Sequence, residues 1–127
     1  MDLHDANWAR FCRYHVGDWY GLWIPYTVDG VALAPRQCLR SFRLTTDGRA
    51  ITHQNHYRSA DGRQETKTFG PYTPVTTPAV FVEASFSLGS PAVAGATPFA
   101  FETGFRAAER RVSLVARSDA HGVWQPS

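Results

Sequence analysis

Mostly apolar side chains recur with helical spacing in one segment near the start of the chain. They occupy positions i, i+3, i+4 and i+7, which share one helical face: Trp8, Phe11, Cys12 and His15. Asp5 is suited to cap the start of this helix, and Gly17 to end it, because glycine adopts the left-handed conformation common at helix ends. The pattern predicts a short helix over residues 5–15, and no other segment has this period.

The rest of the chain, residues 18–127, reads as strands separated by turns. Asp-Gly pairs favour tight hairpins because glycine tolerates positive φ, and they occur at 29–30, 47–48 and 61–62. A loop rich in Pro and Thr is expected at 71–78. The strand-like runs are 19–27, 36–46, 50–59, 63–70, 79–88, 98–107 and 110–118, and another begins within 121–127. Hairpins without crossover helices predict an antiparallel meander, and closing it into a barrel would remove the exposed edges.

Strand alternation assigns one face of each strand to the interior of this barrel. The predicted interior is mostly apolar: Cys38, Phe42, Leu44, Ile51, Val80, Val82, Ala84, Phe86, Phe99, Phe101, Phe105, Val112, Leu114 and Ala116. Its polar members are Arg40, His53, Asn55, Tyr57 and Thr103. The same alternation places Glu83 and Glu102 outside. An apolar wall with a few polar groups favours a ligand cavity over a solid core.

Length and charge exclude several classes of protein. A chain of 127 residues is expected to form one domain. The 13 basic and 11 acidic side chains are too balanced for an obligate nucleic-acid binder. No apolar run approaches the ~20 residues of a membrane span. The start of the chain lacks a basic-then-apolar export signal, so a cytoplasmic location is expected, with Cys12 and Cys38 as buried thiols.

Arg40 is the first candidate for ligand binding. It lies among apolar neighbours on its strand, and an internal guanidinium requires a partner because an unpaired buried charge is costly. One reading is a clamp for the carboxylate of a ligand. The alternative is structural: a stack on a tryptophan of the barrel floor, or a pair with a glutamate such as Glu102.

His53, Asn55 and Tyr57 form a predicted polar strip on one wall of the cavity. Together with Arg40, this strip is the best candidate site. His53 and His56 are three residues apart and face opposite sides of a strand, so they cannot share a metal ion. His53 is then a ligand for a haem iron, a proton shuttle, or a hydrogen-bonded wall residue. The sequence contains no catalytic motif, so no catalytic residue, metal or cofactor is assigned.

Several motifs cover nearly the whole chain. They are Asn7-Trp8-x-x-Phe11-Cys12-x-Tyr14-His15-x-Gly17-Asp18-Trp19-Tyr20-Gly21-x-Trp23, Arg40-Ser41-Phe42-Arg43, Asn55-x-Tyr57, and Pro98-Phe99-Ala100-Phe101-Glu102-x-Gly104-Phe105-Arg106. Together they resemble domain of unknown function 3598, a calycin-like (lipocalin-like) family frequent in cyanobacteria and plastids. The opening segment is also similar to phycobilin lyases and haem-binding nitrobindin-type barrels. The resemblance implies that Trp19 plugs the barrel floor, that Gly17 permits close strand approach, and that Trp8 covers the same floor.

Members of this family are typically much longer than this chain. The resemblance therefore implies an N-terminal barrel alone, whose closing strand is absent or replaced. The leading functional hypothesis is binding of a hydrophobic small molecule, with or without a carboxylate, such as a fatty acid, a bilin or another tetrapyrrole. A second hypothesis is a lyase or isomerase acting on a tetrapyrrole or terpenoid-like substrate. A third is a non-catalytic assembly role, with a homodimer formed through the open barrel edge.

Overall fold

The computed structural model describes residues 2–90, 97–119, 121 and 123–125. Within them, one helix precedes two antiparallel meanders, so the mostly-β antiparallel prediction is confirmed. The elements are α1 (Leu3–His15), β1 (Gly17–Trp23), β2 (Arg36–Leu44), β3 (Ile51–Arg58), β4 (Gln64–Tyr72), β5 (Val80–Val82), β6 (Ser85–Gly89), β7 (Phe99–Ala107), β8 (Arg110–Ser118) and β9 (Trp124–Gln125). The first sheet has the order β1-β2-β3-β4, and the second has the order β5-β6-β7-β8-β9. No strand pairing among the described residues joins the two sheets into a closed barrel.

The helix begins earlier than predicted because Asp2, rather than Asp5, caps it. The Asp2 side chain accepts a hydrogen bond from the backbone N–H of His4 at 2.7 Å. Asp5 lies in the first turn, where a negative charge is favourable. The helix is followed by Gly17, whose φ of +139° is a conformation that other residues rarely adopt. Glycine therefore allows the abrupt change from helix to strand.

The first sheet follows the predicted hairpins closely. Gly48 and Gly62 have positive φ values of +71° and +88° in the turns between strands, as the Asp-Gly pairs predict. The predicted strand 19–27 ends earlier, at Trp23, although a bridge between Tyr26 and Ala32 continues the hairpin around Gly30. β4 extends to Tyr72, so the predicted loop at 71–78 begins later than expected.

The predicted single strand over 79–88 is wrong. Residues Val82 to Ser85 form a tight turn, with Glu83 at a φ of +49°, and the chain reverses so that Phe81 pairs with Phe86. The reversal shifts the alternation by one residue. Val80 is therefore 65% exposed, whereas Phe81 is only 4% exposed and belongs to the core.

The predicted inner face of β7 and β8 is also wrong over much of its length. Four side chains of these strands that alternation placed inside are exposed: Thr103, Phe105, Val112 and Leu114. Val82 on β5 and Leu44 at the end of β2 were also placed inside and are also exposed. The face that was predicted to be outside contains Glu102 and Arg111, which line a cavity between the sheets. Both faces of β7 and β8 carry apolar side chains, so alternation has too little contrast to identify the inner one.

The core lies between helix α1 and the near ends of both sheets. It consists of Phe11, Phe42, Ile51, Ala79, Phe81 and Phe86. The Phe11 ring stacks on Phe81 with centroids 4.8 Å apart. Asn7 attaches the helix to β5, because its Nδ2 donates to the Ala79 carbonyl at 2.8 Å and its Oδ1 accepts from the Phe81 N–H at 2.7 Å.

The two cysteines form no disulfide with each other. Cys12 and Cys38 are free thiols, as predicted, although both are half-buried rather than fully buried. Burial raises the pKa of each thiol.

None of the helical segments that the structure describes is both long and apolar enough to cross a membrane.

Candidate functional site

A cavity of about 730 Å³ lies between the two sheets, above the helix. Its inner end is formed by the aromatic core around Phe11, Phe42 and Phe86. Its outer end lies six residues further along the first sheet, where Trp23 pairs with Arg36. At ~3.3 Å per strand residue, the two ends are about 20 Å apart. The cavity is therefore long and largely apolar.

The predicted polar strip is present on β3 and lines the cavity. Asn55 Nδ2 donates to the Tyr57 hydroxyl at 3.0 Å, and Asn55 Oδ1 lies 2.9 Å from His53 Nε2. Because that amide oxygen can only accept, Nε2 carries the ring proton and Nδ1 accepts from the Tyr72 hydroxyl at 3.0 Å. Burial lowers the pKa of His53 to about 4, so its ring is neutral at neutral pH.

Arg40 is paired within the protein. Its Nη1 lies 3.2 Å from Glu102 Oε1, and its Nε donates to Asn55 Oδ1 at 3.2 Å. The prediction that Glu102 points outward is wrong, and the structural alternative for Arg40, a pair with Glu102, is the arrangement observed. Trp23 lies 6.0 Å from the guanidinium carbon, at the limit of a cation–π contact.

Arg111 is a cavity residue that sequence reasoning missed. It projects from β8 between two aromatic rings, 4.7 Å from the Phe86 centroid and 5.3 Å from that of Phe42. Its Nε donates to His15 Nδ1 at 3.1 Å. Desolvation, followed by the nearby charge of Arg40, lowers the pKa of Arg111 to about 10. Its neighbours in the sequence are Arg110 and Val112, and alternation placed Val112 inside, so no local signal marked Arg111 as a cavity residue.

His15 supports Arg111 from the last turn of the helix. It is fully buried, and burial lowers its pKa to about 4, with the Arg111 charge adding to the effect. The ring is thus neutral and accepts through Nδ1. Among the described residues, His15 Nε2 has no hydrogen-bond partner of good geometry. The nearby backbone of Ala84 partly offsets the lowering of the His15 pKa.

Thr103, Trp8, Gly17 and Trp19 lie outside the cavity lining. Thr103 is exposed, and its hydroxyl donates to the Phe86 carbonyl at 3.2 Å. Trp8 packs edge-on against Phe11 beneath the inner end. Trp19 Nε1 donates to the His15 carbonyl at 2.9 Å and faces the cleft between β1 and β8. Trp8 therefore contacts the core below the cavity, whereas Trp19 lies at its side.

The cavity holds more positive than negative charge. Its charged lining residues are Arg36, Arg40, Lys67, Arg111, Arg117 and Glu102. Glu65 partly offsets the outer end, since it lies 3.0 Å from Arg36 and 3.9 Å from Lys67. Within the described part of the chain, no three His, Cys, Asp or Glu side chains come together as metal ligands would. The arrangement is suited to hold an anion or an anionic group.

Comparison with known proteins places this fold in a family without an assigned activity. The chain is similar to a solved structure from Nostoc punctiforme PCC 73102, described as a protein with unknown function from the DUF3598 family. The TM-score is 0.77 at 19% identity, and the match covers 94% of this chain but 43% of that chain. No curated protein matches. The family model for the N-terminal part of DUF3598, a domain of unknown function, matches residues 4–124, and the chain belongs to this family.

Proposed function

We propose that the protein binds a hydrophobic small molecule in the cavity between its two sheets. The observation that carries the proposal is the cavity itself, whose volume of about 730 Å³ lies within the ~300–1,000 Å³ range of small-molecule sites. Its walls combine aromatic rings with a few hydrogen-bonding groups, which is the composition that such sites share. A fatty acid, a bilin or another tetrapyrrole-like molecule matches this chemistry.

The same proposal treats the two sheets as the walls of one calycin-type barrel. The ion pair between Arg40 and Glu102 supports this interpretation, since it joins β2 to β7 across the cavity. The helix supports it as well, because Phe11 contacts Phe42 of the first sheet and Phe81 of the second. A plugged barrel would exclude water from the ligand while leaving the outer end open for entry.

The test is native mass spectrometry of purified protein, followed by titration of delipidated protein with a fluorescent polyene fatty acid. Val115 lines the cavity, whereas Val112 on the same strand is exposed on the other face. Val115→Trp is expected to weaken probe binding at least about 10-fold because the ring occupies the site, and Val112→Trp is expected to change it little. No saturable binding by the unaltered protein, or equal effects of the two variants, would overturn the proposal.

A non-catalytic assembly role, in which the protein forms a homodimer, is the second candidate function. The edge of β1 and the part of β8 that β9 does not cover face a cleft, and the described residues supply no strand that pairs with β1 on that side. Exposed Tyr20, Leu22 and Leu114 border it. Free strand edges and apolar side chains favour strand addition by a second copy. Sedimentation analysis tests this: a dimer that Leu22→Lys disrupts is expected, and a monomer at all concentrations would contradict it.

A further inference from the structure

The two arginines inside the cavity have different electrostatic partners. Arg40 has Glu102 at 3.2 Å, so this pair contributes no net charge. Arg111 lies within ion-pair distance of no carboxylate among the residues that the structure describes. An internal cation without a counter-ion is costly. The inner cavity therefore carries one uncompensated positive charge, and Arg111 is its source.

The geometry around Arg111 leaves part of its guanidinium free for a ligand. In the described structure its one hydrogen bond uses Nε, which donates to His15 Nδ1 at 3.1 Å. Phe42 and Phe86 cover the guanidinium, with ring centroids 5.3 and 4.7 Å from its central carbon. These contacts fix the orientation of the planar group, and among the described residues the two Nη atoms have no hydrogen-bond partner. An oriented guanidinium with two free nitrogens is suited to bind a carboxylate through two hydrogen bonds.

The position of Arg111 also sets the direction of the ligand. It lies at the inner end, beside the helix residue His15 and the core ring Phe42. From there the cavity continues past Leu88 and Val115 toward its outer end. An acid group at Arg111 would leave about 20 Å of cavity for a long chain, which would contact Leu88, Val115 and Trp23.

We infer that Arg111 anchors the acid group of a long-chain monocarboxylic acid, which enters carboxylate first and extends its apolar chain toward Trp23. This inference rests on the proposed ligand-binding function and names its ligand class. One uncompensated cation at the inner end matches one carboxylate. Tetrapyrroles with two propionates would bring a second negative charge, for which the inner cavity has no free cation among its described residues.

The test compares two ligands that differ only in the acid group, palmitic acid and hexadecanol, by displacement of the fluorescent probe. Arg111→Met removes the charge and keeps a long side chain. Arg110→Met is the matched control, because Arg110 is the exposed neighbour on the same strand. Arg111→Met is expected to weaken palmitate binding about 10- to 100-fold and hexadecanol binding less than about 3-fold. Arg110→Met is expected to leave both unchanged.

The other outcomes separate the two proposals. Equal palmitate affinity for the unaltered protein and Arg111→Met would overturn the anchor while binding itself stands. If hexadecanol bound tightly and palmitate did not, the carboxylic acid would be overturned as the ligand class, while the cavity would remain a hydrophobic binding site. A probe that binds but that neither ligand displaces would overturn the ligand class, and no saturable binding of the probe itself would overturn the proposed function.

A second measurement tests the anchor without a variant, in case Arg111→Met fails to fold. Palmitate labelled with carbon-13 at its carboxyl is titrated by NMR while bound to the unaltered protein. Contact with Arg111 is expected to hold the pKa of the carboxyl below its usual range, since the cation favours the ionised form. A carboxyl pKa above that of free fatty acid would show an apolar surrounding and would overturn the anchor.

Discussion

Arg40 Nη1 on β2 lies 3.2 Å from Glu102 Oε1 on β7, so one ion pair connects the two sheets across the cavity. The side chains are only 11% and 21% exposed. Asn55 Oδ1 also accepts from Arg40 Nε, which links the pair to the polar strip of β3. The residues that shape the cavity are therefore coupled through charge as well as through packing.

Removal of one member of this pair is expected to destabilise the protein. Glu102→Gln leaves Arg40 charged and largely desolvated, and we expect a loss of about 3 kcal/mol in the free energy of unfolding. The double variant Arg40→Met/Glu102→Leu removes both charges and is expected to cost less. Urea unfolding of the three proteins measures this. A double variant less stable than Glu102→Gln would contradict the prediction.

The two histidines of the cavity predict acid sensitivity. Burial lowers the pKa of both His15 and His53 to about 4, whereas an unfolded histidine has a pKa near ~6.5. Below that value the unfolded chain takes up protons that the folded protein does not. Stability is therefore expected to be fully present above pH ~6.5 and to fall as the pH decreases toward about 4.

Urea unfolding at several pH values measures this dependence. His53→Gln is expected to flatten the decline between pH ~6.5 and ~4, because one of the two titrating rings is gone. His56→Gln is the matched control, since His56 lies on the opposite face of β3 and bonds to Thr66 instead. A decline of the same slope in the unaltered protein and in His53→Gln would contradict the assignment of this loss of stability to His53.

Gly104 is required by the close approach of β7 to its neighbours. A Cβ at this position would lie 2.7 Å from Cζ of Phe86, which belongs to the core, and 2.5 Å from the Val112 carbonyl oxygen. Gly104→Ala is expected to cost about 1–3 kcal/mol because the core cannot shift without strain. Gly21→Ala is the control, because no atom of the described residues lies within 4 Å of where its Cβ would be. Thermal unfolding compares the two, and equal stabilities would refute this account.

Asn7 is expected to account for much of the attachment of the helix to the second sheet. Asn7→Leu leaves the Ala79 carbonyl and the Phe81 N–H without their partner, and a loss of about 2 kcal/mol is expected. Leu3→Ala, at an exposed position of the same helix, is expected to cost less than about 0.5 kcal/mol. Chemical unfolding monitored by tryptophan fluorescence distinguishes them. If Asn7→Leu were as stable as Leu3→Ala, the attachment would depend on the aromatic contacts instead.

Local features of the fold were predictable from short stretches of sequence. The Asp-Gly turns at Gly48 and Gly62 formed as predicted, because a tight hairpin requires positive φ there. The helix buries Phe11 and His15 on the predicted face. On β3 the polar alternation placed His53, Asn55 and Tyr57 together, since the opposite face carries Thr52, Gln54 and Arg58, which are exposed.

Other features required contacts between distant parts of the chain. Alternation misplaced Glu102 and missed Arg111, because both faces of β7 and β8 carry apolar side chains and only the assembled cavity supplies the partners of these two charged residues. Glu102 is 62 residues from Arg40, and Arg111 is 96 residues from His15. No local pattern carries such a pairing.

The sequence by itself determined the antiparallel order of the strands, the position of most turns and the identity of one cavity wall, because these depend on backbone conformation and on nearest neighbours. Only the tertiary structure decided which face of β7 and β8 lies inside. Both faces are partly apolar, so the choice depends on which one meets the helix and the first sheet. That choice brings Arg111 into the cavity, and with it the charge that distinguishes the site.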